Sequence, residues 1–204
     1  RALEPFLTMN STHTKKPIAI TQGDSAGIGP ETIAQAFRDA PELLRGCFVV
    51  GELATLRRAA ACIEGPGRPS LPVARLAHAH EAWDMPPRCL PVLALPGLPG
   101  PQPWGQVSAE AGRAAAHCVQ WAARAALGGE LAALVTAPLH KEALAAAGVD
   151  FPGHTELLQA EAARHAGVPL ADMPVRMMLA NDELRTVLVS IHMSLRDAIE
   201  AVSY

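Results

Sequence analysis

The run Pro17-Ile18-Ala19-Ile20-Thr21-Gln22, broken by Gly23-Asp24-Ser25-Ala26-Gly27-Ile28-Gly29 and resumed at Pro30-Glu31, limits what this chain can fold into more than any other stretch. A short apolar run bounded by glycine reads as a buried strand, the glycines supply a tight turn, and proline followed by an acid opens a helix. The pattern then repeats: Cys47-Phe48-Val49-Val50 reads as a strand and the segment from about Glu52 to Ile63 as a helix. Strand, helix, strand, helix in succession predicts an α/β fold with a largely parallel sheet flanked by helices.

The later segments extend this pattern. Between Gly65 and Pro103 proline and glycine are frequent, and short apolar pieces such as Leu90 to Leu95 predict loop with one or two edge strands. Ser108 to Leu127 is alanine-rich with helical periodicity and stops at Gly128-Gly129. Leu131 to Thr136 predicts a buried strand ending at Ala137-Pro138, Lys141 to Ala147 a short helix closed by Gly148, and a further helix runs from near Thr155 to Gly167. Arg176 to Ala180 and Arg185 to Ser190 read as strands joined by a turn at Asn181-Asp182, with Met177 and Met178 as core residues. Ser194 then caps another helix with Asp197 in its first turn. Residues 1–16 lack periodicity and are expected to be a disordered leader or a cloning remnant, leaving 17–204 as one α/β segment. A sheet protein that stops at Tyr204, just after a helix start, reads as truncated at its C-terminus.

Half of the 204 residues are hydrophobic, enough for a sizeable core. The net charge of -3 comes from scattered acids and bases, with no basic stripe of the kind that binds nucleic acid. No apolar run is long enough to span a membrane, and no secretory signal opens the chain, so a cytoplasmic protein is expected. Cys47, Cys62, Cys89 and Cys118 form no CxxC pair and read as reduced, mostly buried thiols.

Two histidines are the candidates for the chemistry. His154 follows Phe151-Pro152-Gly153 and precedes Thr155-Glu156; it either hydrogen-bonds a substrate anion or hydroxyl, or is a surface residue beside a capping threonine. His192 comes thirty-eight residues later, after the apolar run Val187 to Ile191. At a strand end it can serve as a metal ligand, a general base or a structural histidine. Lys141, after Pro138, either joins the same anion site or is a solvated lysine of a first helical turn, and His140 carries the same ambiguity. The turn Gly27-Ile28-Gly29-Pro30-Glu31-Thr32 lacks the third glycine of a dinucleotide fingerprint, yet it puts backbone amides at a helix N-terminus, where an anionic or dipolar group is favoured. Asp24 in the same turn either orients a polar substrate or caps the turn.

Together Ile20-Thr21-Gln22-Gly23-Asp24-Ser25-Ala26-Gly27-Ile28-Gly29-Pro30-Glu31, Val135-Thr136-Ala137-Pro138-Leu139-His140-Lys141, Gly153-His154-Thr155-Glu156, Met177-Met178-Leu179-Ala180 and His192-Met193-Ser194-Leu195-Arg196-Asp197 resemble the 4-hydroxythreonine-4-phosphate dehydrogenase family in order and content. The resemblance implies a fold like that of the isocitrate and isopropylmalate dehydrogenases, and a homodimer whose active site is built from both subunits. It implies oxidation of the secondary alcohol of 4-phosphohydroxy-L-threonine by NAD or NADP with a divalent metal such as zinc, magnesium or cobalt, followed by decarboxylation of the β-keto acid. It further implies that His154 and Thr155 bind substrate, that His192 is one metal ligand, and that two more metal-binding histidines and much of the cofactor site lie beyond Tyr204.

Asp24-Ser25 and Met193-Ser194 depart from the Glu-Pro and aliphatic-proline pairs more usual in the vitamin B6 enzyme. Such changes fit relatives that oxidise 4-phospho-D-threonate or 4-phospho-D-erythronate; a more distant relative oxidises the cis-dihydrodiol of terephthalate. A reading from another class is a non-catalytic dimeric binding module. The partner expected in every enzymatic case is a small molecule, with no nucleic acid and no membrane.

Overall fold

The computed structural model describes residues 15–67, 70–190 and 193–202. Most of the expected leader, residues 1–14, therefore lies outside the described residues. Strand β1 (Ile18–Thr21) leads through the glycine turn into helix α1 (Gly29–Asp39), with Pro30 in the first helical turn. Strand β2 (Cys47–Gly51) and helix α2 (Leu53–Cys62) follow, the helix capped by Glu52. Short strands β3 (Val73–Arg75) and β4 (Leu90–Ala94), the nineteen-residue helix α3 (Ala109–Leu127) and strand β5 (Ala133–Thr136) complete the sheet.

The five strands run in the order β3-β4-β2-β1-β5, and all four neighbouring pairs are parallel. Alternation along β2 shows why the strand is an unbroken apolar run. Cys47 and Val49 join one core with Ile33, Phe37 and Leu56 from α1 and α2. Phe48 and Val50 join the other, with Cys118, Ala122 and Ala125 from α3. A central parallel strand is covered on both faces, so both registers of its side chains must be apolar.

Two strand expectations need correction. Strand β4 is interior, not an edge, although it contains Pro91. Leu90 donates its N–H to the Pro72 carbonyl, and Val92 accepts from Leu76, so these residues bond toward β3. Pro91 faces the β2 side, one residue before the pairing with β2 begins at Val49 and Val92, where its missing N–H costs no ladder bond. Strand β5, expected to be buried, lies at the edge of the described sheet, with Val135 half exposed.

Helix α3 is the spine on which the next two helices pack. Helices α4 (Lys141–Ala146) and α5 (His154–Ala166) meet it through Ala116, Val119, Leu144 and Leu157. Gly112 allows the closest approach: a Cβ there would overlap the Ala143 carbonyl. Left-handed glycines at 148 and 167 close α4 and α5 as the sequence predicts.

Beyond α5 comes an antiparallel hairpin of β6 (Met178–Ala180) and β7 (Arg185–Val187), then helix α6 (Leu195–Ala201). The strands are shorter than expected at their outer ends, and in the connection between them Asn181 Oδ1 accepts from the amides of Glu183 and Leu184. Met177 and Met178 are exposed, not core, because the hairpin pairs only with itself among the described residues. All four cysteines are free; Cys47, Cys89 and Cys118 are buried and Cys62 is exposed. Among the described residues no helix is long and apolar enough to cross a membrane.

Candidate functional site

The strand order locates the site. From β1 the chain passes to β2 on one side, and only after β3, β4 and α3 does it return to β5 on the other. The carboxyl ends of β1 and β5 therefore flank a topological switch point, where the loops diverge and open sheets hold their ligands. Those two ends carry the glycine turn and Ala137-Pro138-Leu139-His140.

Ala137 is where the pieces meet. Its N–H donates to the Thr21 carbonyl, and the next residue's carbonyl accepts from Asp24 N–H at 3.0 Å. Gly23, at φ +71°, would place a Cβ 2.5 Å from the Pro138 oxygen, and a Cβ on Gly29 would stand 2.8 Å from the Gln22 oxygen. Neither glycine leaves room for a side chain, and Gly23 also needs its left-handed backbone. Asp24 Oδ1 accepts from Ala26 N–H at 3.0 Å, so this carboxylate shapes the turn. Gln22, buried, accepts the Glu52 N–H at 2.7 Å through its Oε1 and ties the end of β1 to that of β2.

A second layer holds the turn from outside. Arg58 of α2 donates from Nη2 to the Ser25 carbonyl at 2.7 Å and from Nη1 to that of Gln102. Its guanidinium lies 4.6 Å over the Trp104 ring, whose Nε1 donates to Glu31 at 3.1 Å. The segment before α3 is thus strapped across the glycine turn. Arg58, Trp104 and Gln22 carry no local sequence signal, because their partners are up to seventy-three residues away.

The helix N-termini fall into two groups. Side chains cap α2 (Glu52), α3 (Ser108), α4 (His140, through Nδ1) and α6 (Ser194). Helices α1 and α5 begin at Ile28 and Gly153 with no side-chain cap. Their first-turn amides keep a positive end of the helix dipole without an internal acceptor. This corrects the expectation that Thr155 caps α5: it is the second residue of the helix, half-buried.

His154 opens α5 and is half-buried. Its Nε2 is enclosed and makes no hydrogen bond. Burial pushes the imidazole pKa below its ordinary value, with the Ala137 backbone opposing weakly, so near neutral pH the ring is uncharged and has one donor and one acceptor nitrogen. His154 is thus less exposed than the surface-residue alternative expects. Lys141 is the first residue of α4, exposed, with no hydrogen bond or ion pair to the described site residues. His192 lies outside the described residues. Among the described residues no three His, Cys, Asp or Glu side chains come together as a metal site would require.

Several comparisons bear on this arrangement. The family model for "Pyridoxal phosphate biosynthetic protein PdxA" matches residues 44–204. A 4-hydroxythreonine-4-phosphate dehydrogenase of Beijerinckia indica is 42% identical over 92% of this chain and 52% of its own length. A D-threonate 4-phosphate dehydrogenase of Salmonella typhimurium is 38% identical over 92% of this chain and 54% of its own. The crystal structure of 4-hydroxythreonine-4-phosphate dehydrogenase from Klebsiella pneumoniae superimposes with a TM-score of 0.77 at 36% identity, covering 93% of this chain and 54% of that one. A terephthalate 1,2-cis-dihydrodiol dehydrogenase from Burkholderia xenovorans, at 24% identity and a TM-score of 0.60, shares the fold. The chain spans about half the length of the curated relatives it matches. With a family match over residues 44–204 laid on this parallel sheet and its switch-point histidine, the chain belongs to the PdxA family.

Proposed function

We propose that this chain serves an NAD(P)- and divalent-metal-dependent dehydrogenase that oxidises the secondary alcohol of a phosphorylated hydroxy acid. The observation that carries the reading is the uncapped N-terminus of α5 beside the unpartnered Nε2 of His154, at the switch point between β1 and β5. The amides of His154, Thr155 and Glu156 point along a helix dipole that stabilises negative charge, which suits a phosphate or carboxylate. A neutral imidazole adds one directional donor or acceptor without the desolvation cost of a buried charge. The rigid turn around Gly23 and Gly29 packs against Ala137 and Pro138 after β5, and the uncapped start of α1 offers a second dipolar end.

The nicotinamide cofactor, when bound, accepts the hydride, and a divalent metal polarises the alcohol. The described residues do not make a metal site by themselves, and His192 is retained as a proposed ligand on the family resemblance. The chain's own part is to bind and orient: α5 holds the anionic end of the substrate, and His154 positions an oxygen next to the β5 end. The finer assignment is 4-phosphohydroxy-L-threonine, with loss of CO2 from the resulting β-keto acid. Relatives named D-threonate 4-phosphate dehydrogenases match at nearly the same identity, which keeps that phosphorylated acid as the second reading. Homodimerisation, with a site shared between subunits, belongs to the same proposal.

The test is NAD(P)H formation by the full-length protein, after chelation and after return of zinc, magnesium or cobalt, with 4-phosphohydroxy-L-threonine, 4-phospho-D-threonate, 4-phospho-D-erythronate and the terephthalate cis-dihydrodiol. Metal-dependent turnover of a phosphorylated acid supports the proposal. Turnover of the dihydrodiol alone removes it, and turnover of none leaves the binding module as the better reading.

A further inference from the structure

Helix α5 carries His154 at its first residue, so whatever fixes α5 on the body of the protein also fixes that imidazole. Seven residues further on, two helical turns and about 10 Å along the same face, stands Glu161. Its side chain is 1% exposed. A buried carboxylate is costly unless it is fully hydrogen-bonded, and this one is. Arg124 of α3 forks onto it, Nε to Oε2 at 2.8 Å and Nη2 to Oε1 at 3.0 Å. Arg164, one turn on in α5, donates from Nη1 to both oxygens at 2.7 Å. Burial alone would raise the carboxyl pKa, but the two guanidiniums outweigh it and hold Glu161 below the usual carboxylate range.

The apolar contacts of α5 with its neighbours, chiefly Leu157 against Ala116, Val119 and Leu144, are not directional and tolerate sliding or rotation. A two-bond fork between a planar guanidinium and a carboxylate admits one register. We propose that Glu161 is a positioning residue, whose fork with Arg124 sets the register of α5 on α3 and so places His154 at the carboxyl end of β5. This rests on the reading of His154 as a substrate-facing group.

The test compares wild type with Glu161→Gln, Arg124→Met and Arg124→Lys by two independent readouts. The first is the side-chain NMR signal of His154 and its titration, which reports placement without any assay of turnover. The second is kinetics of the full-length protein on its phosphorylated substrate. The proposal expects each variant to stay folded, to move the His154 titration toward the ordinary histidine value, and to raise KM about tenfold with kcat changed less than about threefold. Arg124→Lys, which keeps the charge without the fork, should fail to restore either. An unchanged His154 signal in folded Glu161→Gln and Arg124→Met overturns the proposal, even where the melting temperature falls. Full rescue by Arg124→Lys overturns it too, since charge alone would then suffice. If the His154 signal moves while wild type turns over no phosphorylated acid, the positioning role stands and the functional reading of the site fails.

Discussion

The Cβ of Ala137 stands 3.1 Å from the point where a Cβ on Gly29 would begin. The residue after β5 and the start of α1 are thus in contact, with the Gln22 carbonyl oxygen nearer still at 2.8 Å. Gly29→Ala should destabilise the protein by about 1–3 kcal/mol, the usual cost of overpacking. Gly23→Ala should cost at least as much, because it adds left-handed strain to a clash with the Pro138 oxygen. Urea unfolding midpoints check both, and a neutral Gly29→Ala would show that the two segments are less tightly joined.

Thr155 and Ser108 look alike in sequence, each a hydroxyl residue near a helix start. Only Ser108 caps, accepting from Ala111 N–H at 3.3 Å. Ser108→Ala should therefore cost about 1 kcal/mol, while Thr155→Ala should change stability by less than about 0.5 kcal/mol. If Thr155 has a role in substrate binding, its loss will appear in KM instead.

Much of the fold was legible because local rules and tertiary packing agree. The strand–glycine–helix unit at residues 17 to 31 and the glycine stops at 128–129, 148 and 167 all depend on backbone conformation close in sequence. The features that were not legible depend on distant neighbours. An apolar run such as Leu90 to Ala94 has the same composition whether it lies at an edge or inside, and Pro91 points to the edge unless the pairing leaves its N–H side unneeded. The apolar residues of the hairpin suggested a core, but sequence does not say what covers them. Within the site, the position of His154 could be read from its turn, whereas Glu161 looks like any helix acid until the fold sets Arg124, thirty-seven residues earlier, beside it.

The half-buried His154 makes stability depend on pH in a definite direction. Its folded pKa is depressed below the ordinary value of 6.5, so the unfolded chain takes up the proton first. The contribution is full above about 6.5 and is lost as pH falls from there toward the folded pKa. Relative to His154→Gln, wild type should lose stability between pH 7 and pH 5. Parallel stability curves for the two proteins would show that the imidazole is not buried as described.

The thiols should separate by reactivity. Burial raises the pKa of Cys47 and Cys89, and pushes Cys118 up to about 12, so none of the three offers thiolate at neutral pH. A thiol reagent should label exposed Cys62 quickly and the other three only on unfolding. Fast labelling of Cys118 in the native state would contradict the packing of α3 against the sheet.

The most direct test of the central claim, that the α5 N-terminus and His154 hold the anionic end of a phosphorylated hydroxy acid, is a comparison of kcat/KM for 4-phospho-D-threonate or 4-phosphohydroxy-L-threonine with that for the same acid lacking its phosphate. In the full-length protein, wild type should prefer the phosphorylated acid on the order of 10³-fold or more, and His154→Ala should lose a large part of that preference. Equal use of the two acids by wild type, or a preference untouched by His154→Ala, would contradict the claim.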